Sequence, residues 1–193
     1  GTQMVAKGLD FPNVTLVGVI SADIGLGLPD FRAAERTFQL LTQVAGRTGR
    51  GNEPGHVIVQ TAMPEDPAIQ AASRHDVDGF AEDELRRREE LGYPPFGKLV
   101  LIQLRGSEND VVRQAARTLA VRANDLAEGK VEVLGPSEAP IPRINKQWRW
   151  HILLKGTSSQ SLRAIAKGVQ ESFRRMHSRF VQLSINVDPI SLI

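Results

Sequence analysis

The chain has 193 residues, 41% hydrophobic and 24% charged, with a formal net charge of +2, which is globular composition sized for one large domain or two small ones. It has no cysteine, which excludes disulfides, a Cys-ligated zinc site and a thiol nucleophile and is compatible with a cytosolic origin. No apolar run reaches the length of a membrane span and no signal-peptide pattern is present, so no membrane partner is expected.

Charge is unevenly spread. Residues 1–64 hold five basic and five acidic residues, residues 65–140 ten and fifteen, and residues 141–193 nine and two. The last third therefore calls for an anionic partner. The opening on Gly1 rather than Met, straight into an apolar-rich stretch, reads as a piece cut from something longer.

In chain order, Gly8 and Pro12 punctuate an opening loop. Residues 14–20 are a short apolar run rich in β-branched side chains, read as a fully buried, parallel strand. A Gly-rich loop over 21–29 follows, and Asp30 is placed to cap a helix. Ala34, Phe38, Leu41 and Ala45 fall at i, i+4, i+7 and i+11, one buried face of that helix, which Gly46 should end. Beyond it, Arg47 and Arg50 stand three residues apart among Gly46, Gly49 and Gly51. Two planar donor forks on a short glycine-hinged corner suit a polyphosphate, and equally a plain solvated basic turn. Residues 56–61 form a second apolar strand, completing a strand–helix–strand α/β pattern.

Pro64 and Pro67 break the chain, and Asp66 can cap a short helix starting at Pro67. A second helix is expected from about Asp76 to Leu91, with Phe80, Leu85 and Leu91 on its apolar side. Its Arg86-Arg87-Arg88 run lies among acids and reads as a solvated, paired face. Residues 92–97 stop that helix and mark a boundary. Expected organisation is thus 1–64, a helical linker over 65–97, and a second domain over 98–193.

That domain reads as a strand over 98–105, a helix over 108–126, a short strand over 131–134, an irregular stretch over 135–146, a strand over 148–155, a helix over 159–177 and a strand over 181–187. The β-α-β-β-α-β order is the split βαβ, ferredoxin-like α+β arrangement. Within it, Arg143, Lys146 and Arg149 interleave with Trp148 and Trp150, followed by His151. On a strand Trp148 and Trp150 share one face and Arg149 takes the other. Cations among aromatics suit single-stranded or branched nucleic acid; both indoles are equally compatible with core packing. Arg163, Lys167, Arg174, Arg175 and Arg179 decorate the last helix and its exit. The four histidines have no metal-ligand spacing, so no metal site is expected.

Two stretches resemble a known family. Lys7-Gly8-Leu9-Asp10-Phe11-Pro12-Asn13 resembles motif V of superfamily 2 helicases, and Gln43-Val44-Ala45-Gly46-Arg47-Thr48-Gly49-Arg50 resembles their motif VI. Residues 1–8, Pro94-Pro95, Trp148-Arg149-Trp150 and Asp188-Pro189 narrow this to the bacterial primosomal, or replication-restart, helicases, over essentially the whole chain.

The resemblance implies the distal part of the second recA-like helicase lobe followed by the ferredoxin-like domain. It implies that Arg50 is the arginine finger, Arg47 its companion, and Gln43 a third residue facing the nucleotide. Gly8 and Asp10 would couple the nucleotide site to the DNA track, and Thr2 would contact the DNA backbone. The intact protein would use ATP and magnesium as an ATP-dependent 3′→5′ DNA helicase in primosome assembly. No phosphate-cradling G-x-x-x-x-G-K-[ST] run occurs here, so this chain alone is expected neither to bind nor to hydrolyse ATP. The family's zinc-binding cysteines would precede Gly1. Implied partners are forked or single-stranded DNA, the acidic tail of single-stranded-DNA-binding protein near residues 143–151, and other primosome proteins. A repair or recombination helicase of another branch, or a non-enzymatic scaffold docking acidic tails, are the alternatives.

Overall fold

In the computed structural model, which describes residues 14–46 and 55–193, the chain divides into two units, Gly1–Arg86 and Arg87–Ile193. In the first, β1 (Leu16–Val19) pairs in parallel with β2 (His56–Val59), Leu16 opposite His56. Between them lie α1 (Asp23–Leu26) and α2 (Ala33–Ala45); α3 (Pro67–Arg74) follows. A long helix, α4 (Val77–Glu90), begins in this unit and crosses the division.

The α2 periodicity is realised: Phe38 and Leu41 are buried with Ala68, Ile69, Ala72 and Phe80, and Ala34 packs at the edge. The Phe38 and Phe80 rings stack with centroids 4.2 Å apart. Gly46 ends α2, its N–H donating to the Thr42 carbonyl at 3.1 Å. Asp66 caps α3, accepting from the Ala68 N–H at 2.9 Å. Asp30 works differently from expected. It sits two residues ahead of the N-cap Arg32 and ties down both the Arg32 N–H and the Arg36 guanidinium, each at 3.0 Å.

Two expectations need correction here. β1 is not fully buried: Leu16 is 59% exposed, Ile20 80% and, on β2, Ile58 62%. Among the described residues this sheet has two strands, and the core covers one side of it, where Val19 and Val59 pack. In α4, Phe80 is buried but Leu85 and Leu91 are exposed. Nine of the 14 residues of α4 are charged, too many to leave an apolar stripe.

The second unit contains β3 (Lys98–Gly106), α5 (Asn109–Ala127), β4 (Glu132–Ile144), β5 (Gln147–Gly156), α6 (Ser159–Arg175) and β6 (Val181–Val187). The four strands form an antiparallel sheet in the order β4-β5-β3-β6. Alternate residues Val100, Ile102 and Leu104 of β3 and Trp150, Ile152 and Leu154 of β5 face both helices. The helices answer with Val112, Ala116, Leu119 and Ala123, and with Leu162, Ile165, Ala166 and Val169. A side chain at Gly168 would meet the end of the half-buried Leu126 side chain, which packs between α5 and α6.

The stretch over 135–146 is not irregular. β4 continues to Ile144, with register shifts between Leu134 and Ser137 and between Glu138 and Arg143. Pro136, Pro140 and Pro142 fall within these shifts. Proline has no N–H for a ladder, so an outer strand with bulges is where a sheet tolerates it.

Candidate nucleic-acid interface

β4 and β5 are joined through Asn145 and Lys146, both at positive φ, 50° and 65°. Two successive positive-φ residues are the two-residue hairpin turn whose twist matches the strands, and Asn tolerates the first position well. This turn lifts Lys146 to the tip and sets Arg143 opposite Trp148. The Arg143 guanidinium lies 5.2 Å from the Trp148 ring centroid, within cation–π range. Arg143 and Lys146 are exposed; Trp148 and Arg149 are half-buried.

The pleat separates the rest. Trp150 is 9% exposed, packed on the helix side, and its indole N–H donates to Asn109 Oδ1 at 2.9 Å. Its ring therefore presents no stacking surface. Arg149 points to the open face, where its Nη1 donates to the Ile141 carbonyl at 3.3 Å. With the Gln103 amide oxygen turned toward it, Arg149 Nε and Nη2 also donate there at 2.6 and 2.7 Å. His151, next along the open face, is 7% exposed, so it too is removed from direct contact with a large ligand. Burial, and then the nearby Arg149 charge, push the His151 imidazole down to about 4.

That shift has a sign. The unfolded chain takes up the His151 proton below about 6.5 and the folded one only below about 4, so the stability of this unit should fall as pH drops through that window. His151→Gln should flatten this dependence, measured by denaturant melts between pH 7 and pH 4; an unchanged slope would contradict the assignment.

Register gathers further cations at the same end of the sheet. Gly106 at the end of β3 is opposite Trp148 on one side and Val181, the first residue of β6, on the other. Arg105 therefore lies directly across from Arg149. Arg174 and Arg175, in the last turn of α6, and Arg179 lead into β6 at this end. The acids nearby are Glu108 and Asp110 at the start of α5 and Glu138 on β4, opposite Trp150; Asp110 is engaged by Arg113 at 2.7 Å. Sequence reasoning passed over Arg105 because alternation gives a residue's face but not its cross-strand neighbour.

Of the remaining expected site residues, Gln43 is exposed on the last turn of α2. Thr2, Gly8, Asp10, Arg47 and Arg50 lie outside the described residues. Among the described residues no cluster of His, Cys, Asp or Glu could hold a metal ion, and no helix is long and apolar enough to cross a membrane.

Comparison with known proteins converges on one group. A family model, the primosomal protein N C-terminal domain, matches residues 89–190. The replication restart protein PriA of Synechocystis sp. is 45% identical over 192 residues, covering 100% of this chain and 23% of that protein. Its Bacillus subtilis counterpart is 44% identical over 196 residues, covering 100% and 24%, and that of Borreliella burgdorferi 36% over 193 residues, covering 100% and 29%. The chain thus spans about a quarter of the length of these relatives. Among solved structures, a de novo designed protein, Foldit4, aligns at a TM-score of 0.40 and 11% identity over 48% of this chain and 97% of its own, a likeness too weak to bear on the fold.

Proposed function

Because the chain belongs to the primosomal protein N C-terminal domain family, we propose that it is the C-terminal part of an ATP-dependent 3′→5′ DNA helicase that binds forked DNA and restarts replication through primosome assembly. The names of its relatives support this reading. So does the order of its motif V-like and motif VI-like stretches. The parallel β1–β2 pair with α2 fits a portion of a recA-like lobe, and the β-α-β-β-α-β unit with sheet order β4-β5-β3-β6 fits a ferredoxin-like domain.

In this reading the rest of the protein holds ATP and magnesium. Gln43, Arg47 and Arg50 reach the nucleotide from this side, with the Arg50 guanidinium against the γ-phosphate. Thr2, Gly8 and Asp10 serve the DNA track. The C-terminal unit grips DNA through the hairpin end. By itself the chain binds DNA or protein and does not turn over ATP.

The observation that carries the DNA-binding part is the convergence of Arg143, Lys146 and Arg149 on one end of the sheet, where Arg105 and the exit of α6 also bring cations. Binding of the isolated chain to forked DNA should weaken steeply with salt, because each phosphate neutralised by a cation releases counterions. Arg143→Ala with Lys146→Ala should lower the slope of log K against log salt by about 0.7–0.9 for each phosphate no longer neutralised. A fork affinity indifferent to salt would refute a phosphate interface. The same cations also suit the acidic tail of single-stranded-DNA-binding protein. A variant that loses an acidic peptide yet keeps the fork would favour that docking role.

A further inference from the structure

The face of the C-terminal sheet away from its helices is covered at Leu99, Leu101 and His151, but its end at Arg105 is exposed and carries an arrangement that the hairpin does not account for. Arg105 and Arg149 are directly paired across β3 and β5, with side chains about 5 Å apart at their roots. Like charges in that position repel, yet neither arginine has an acidic partner among the described residues. Arg105 Nε donates to Gln182 Oε1 at 2.8 Å, and Arg149 is held by the Gln103 amide oxygen and the Ile141 carbonyl. All of these acceptors are neutral. They hold the two guanidiniums in place and leave both positive charges unneutralised, though Arg149 spends Nε and Nη2 on Gln103.

Phe180 is 68% exposed and immediately precedes β6, whose first residue Val181 pairs with Gly106. A Cβ on Gly106 would collide with the Phe180 carbonyl, so the backbone of Phe180 closely approaches the end of β3. Phe180 precedes by two residues Gln182, the cross-strand partner of Arg105, so register brings an exposed ring and two charged guanidiniums to one end of the sheet. This is the combination that binds unpaired nucleotides: forks for successive phosphates and a ring face for a base.

We propose that Arg105, Arg149 and Phe180 form a binding site for single-stranded nucleic acid on the sheet face away from the helices, sharing Arg149 with the hairpin interface but extending it away from the Arg143–Lys146 tip. This rests on the reading of the C-terminal unit as DNA-binding and specifies the strand type and the face. A duplex keeps its bases stacked inside and offers nothing to Phe180. An acidic peptide would use the arginines but has no base for the ring.

The test measures anisotropy of labelled oligothymidylate, a duplex of equal length and a carboxylate-rich peptide on the 193-residue chain, with thermal melts to confirm folding. Phe180→Ala should weaken oligothymidylate binding about tenfold, within the range found for a single stacked base, and leave the duplex unchanged. Arg105→Ala should weaken oligothymidylate and lower its salt slope by about 0.7; both positions are exposed, so both variants should fold. Equal losses for duplex and single strand, or no loss from Phe180→Ala, would overturn the proposal. So would an Arg105→Ala chain that loses only the peptide. If the Arg143/Lys146 variant weakens the fork while Arg105→Ala and Phe180→Ala change nothing, this site falls and the hairpin interface stands. If the unmodified chain binds no DNA, the DNA-binding reading itself falls.

Discussion

On the proposed reading of Arg50 as an arginine finger, Arg50→Ala in the intact protein is expected to cut ATP turnover by about 10³-fold or more, the range found when such a finger is removed, while fork binding is largely kept. Charge spreads onto the γ-phosphate oxygens in the transition state. A planar, permanently charged fork delivered there stabilises that state more than the bound nucleotide. Arg50→Lys should rescue little, because an ammonium is a point charge without the fork. The position follows α2 by only a few residues, and α2 is anchored through Phe38 and Leu41. DNA-stimulated phosphate release with saturating fork is the measurement; turnover equal to that of the unmodified protein would remove Arg50 from the site.

Trp150→Ala should destabilise the C-terminal unit by about 3–5 kcal/mol, the usual cost of truncating a buried tryptophan. The indole lies among Ile152, Leu104 and the helices, and its removal also leaves Asn109 Oδ1 without its donor. Trp148→Ala, at a half-buried position on the hairpin, should cost far less stability and instead release Arg143 from its aromatic rest. Denaturant melts of the two variants separate these roles. A Trp150→Ala chain as stable as its parent but poorer in DNA binding would mean that the ring faces a ligand after all.

The two tryptophans also show where sequence reasoning stops. Alternation on β5 correctly places Trp148 and Trp150 on one face. It does not say that Trp150 lies under the start of α5, where Asn109 meets it, while Trp148 is one step further toward the sheet end. α1 fell inside the stretch read as a Gly-rich loop, but the longer helices were legible to within a couple of residues, as in α6, where Leu162, Ile165, Ala166 and Val169 recur at helical spacing. The far half of β4 was illegible, since three prolines look like a loop until a neighbouring strand reveals which groups need ladder bonds. The convergence of Arg105 on Arg149 is a matter of register across 44 positions of chain, which local pattern does not encode. For the stretch proposed to face a nucleotide the balance is reversed: the motif resemblance carries that reading, and apart from Gln43 its residues lie outside those described.

The kinked course of β4 has a further effect on how the protein behaves in company. β4 forms one rim of its sheet, and a straight rim of free amides and carbonyls would invite another molecule to zip alongside and seed insoluble stacks. Three missing amides and two jogs spoil that template, so the outer border should resist self-association when many copies crowd together.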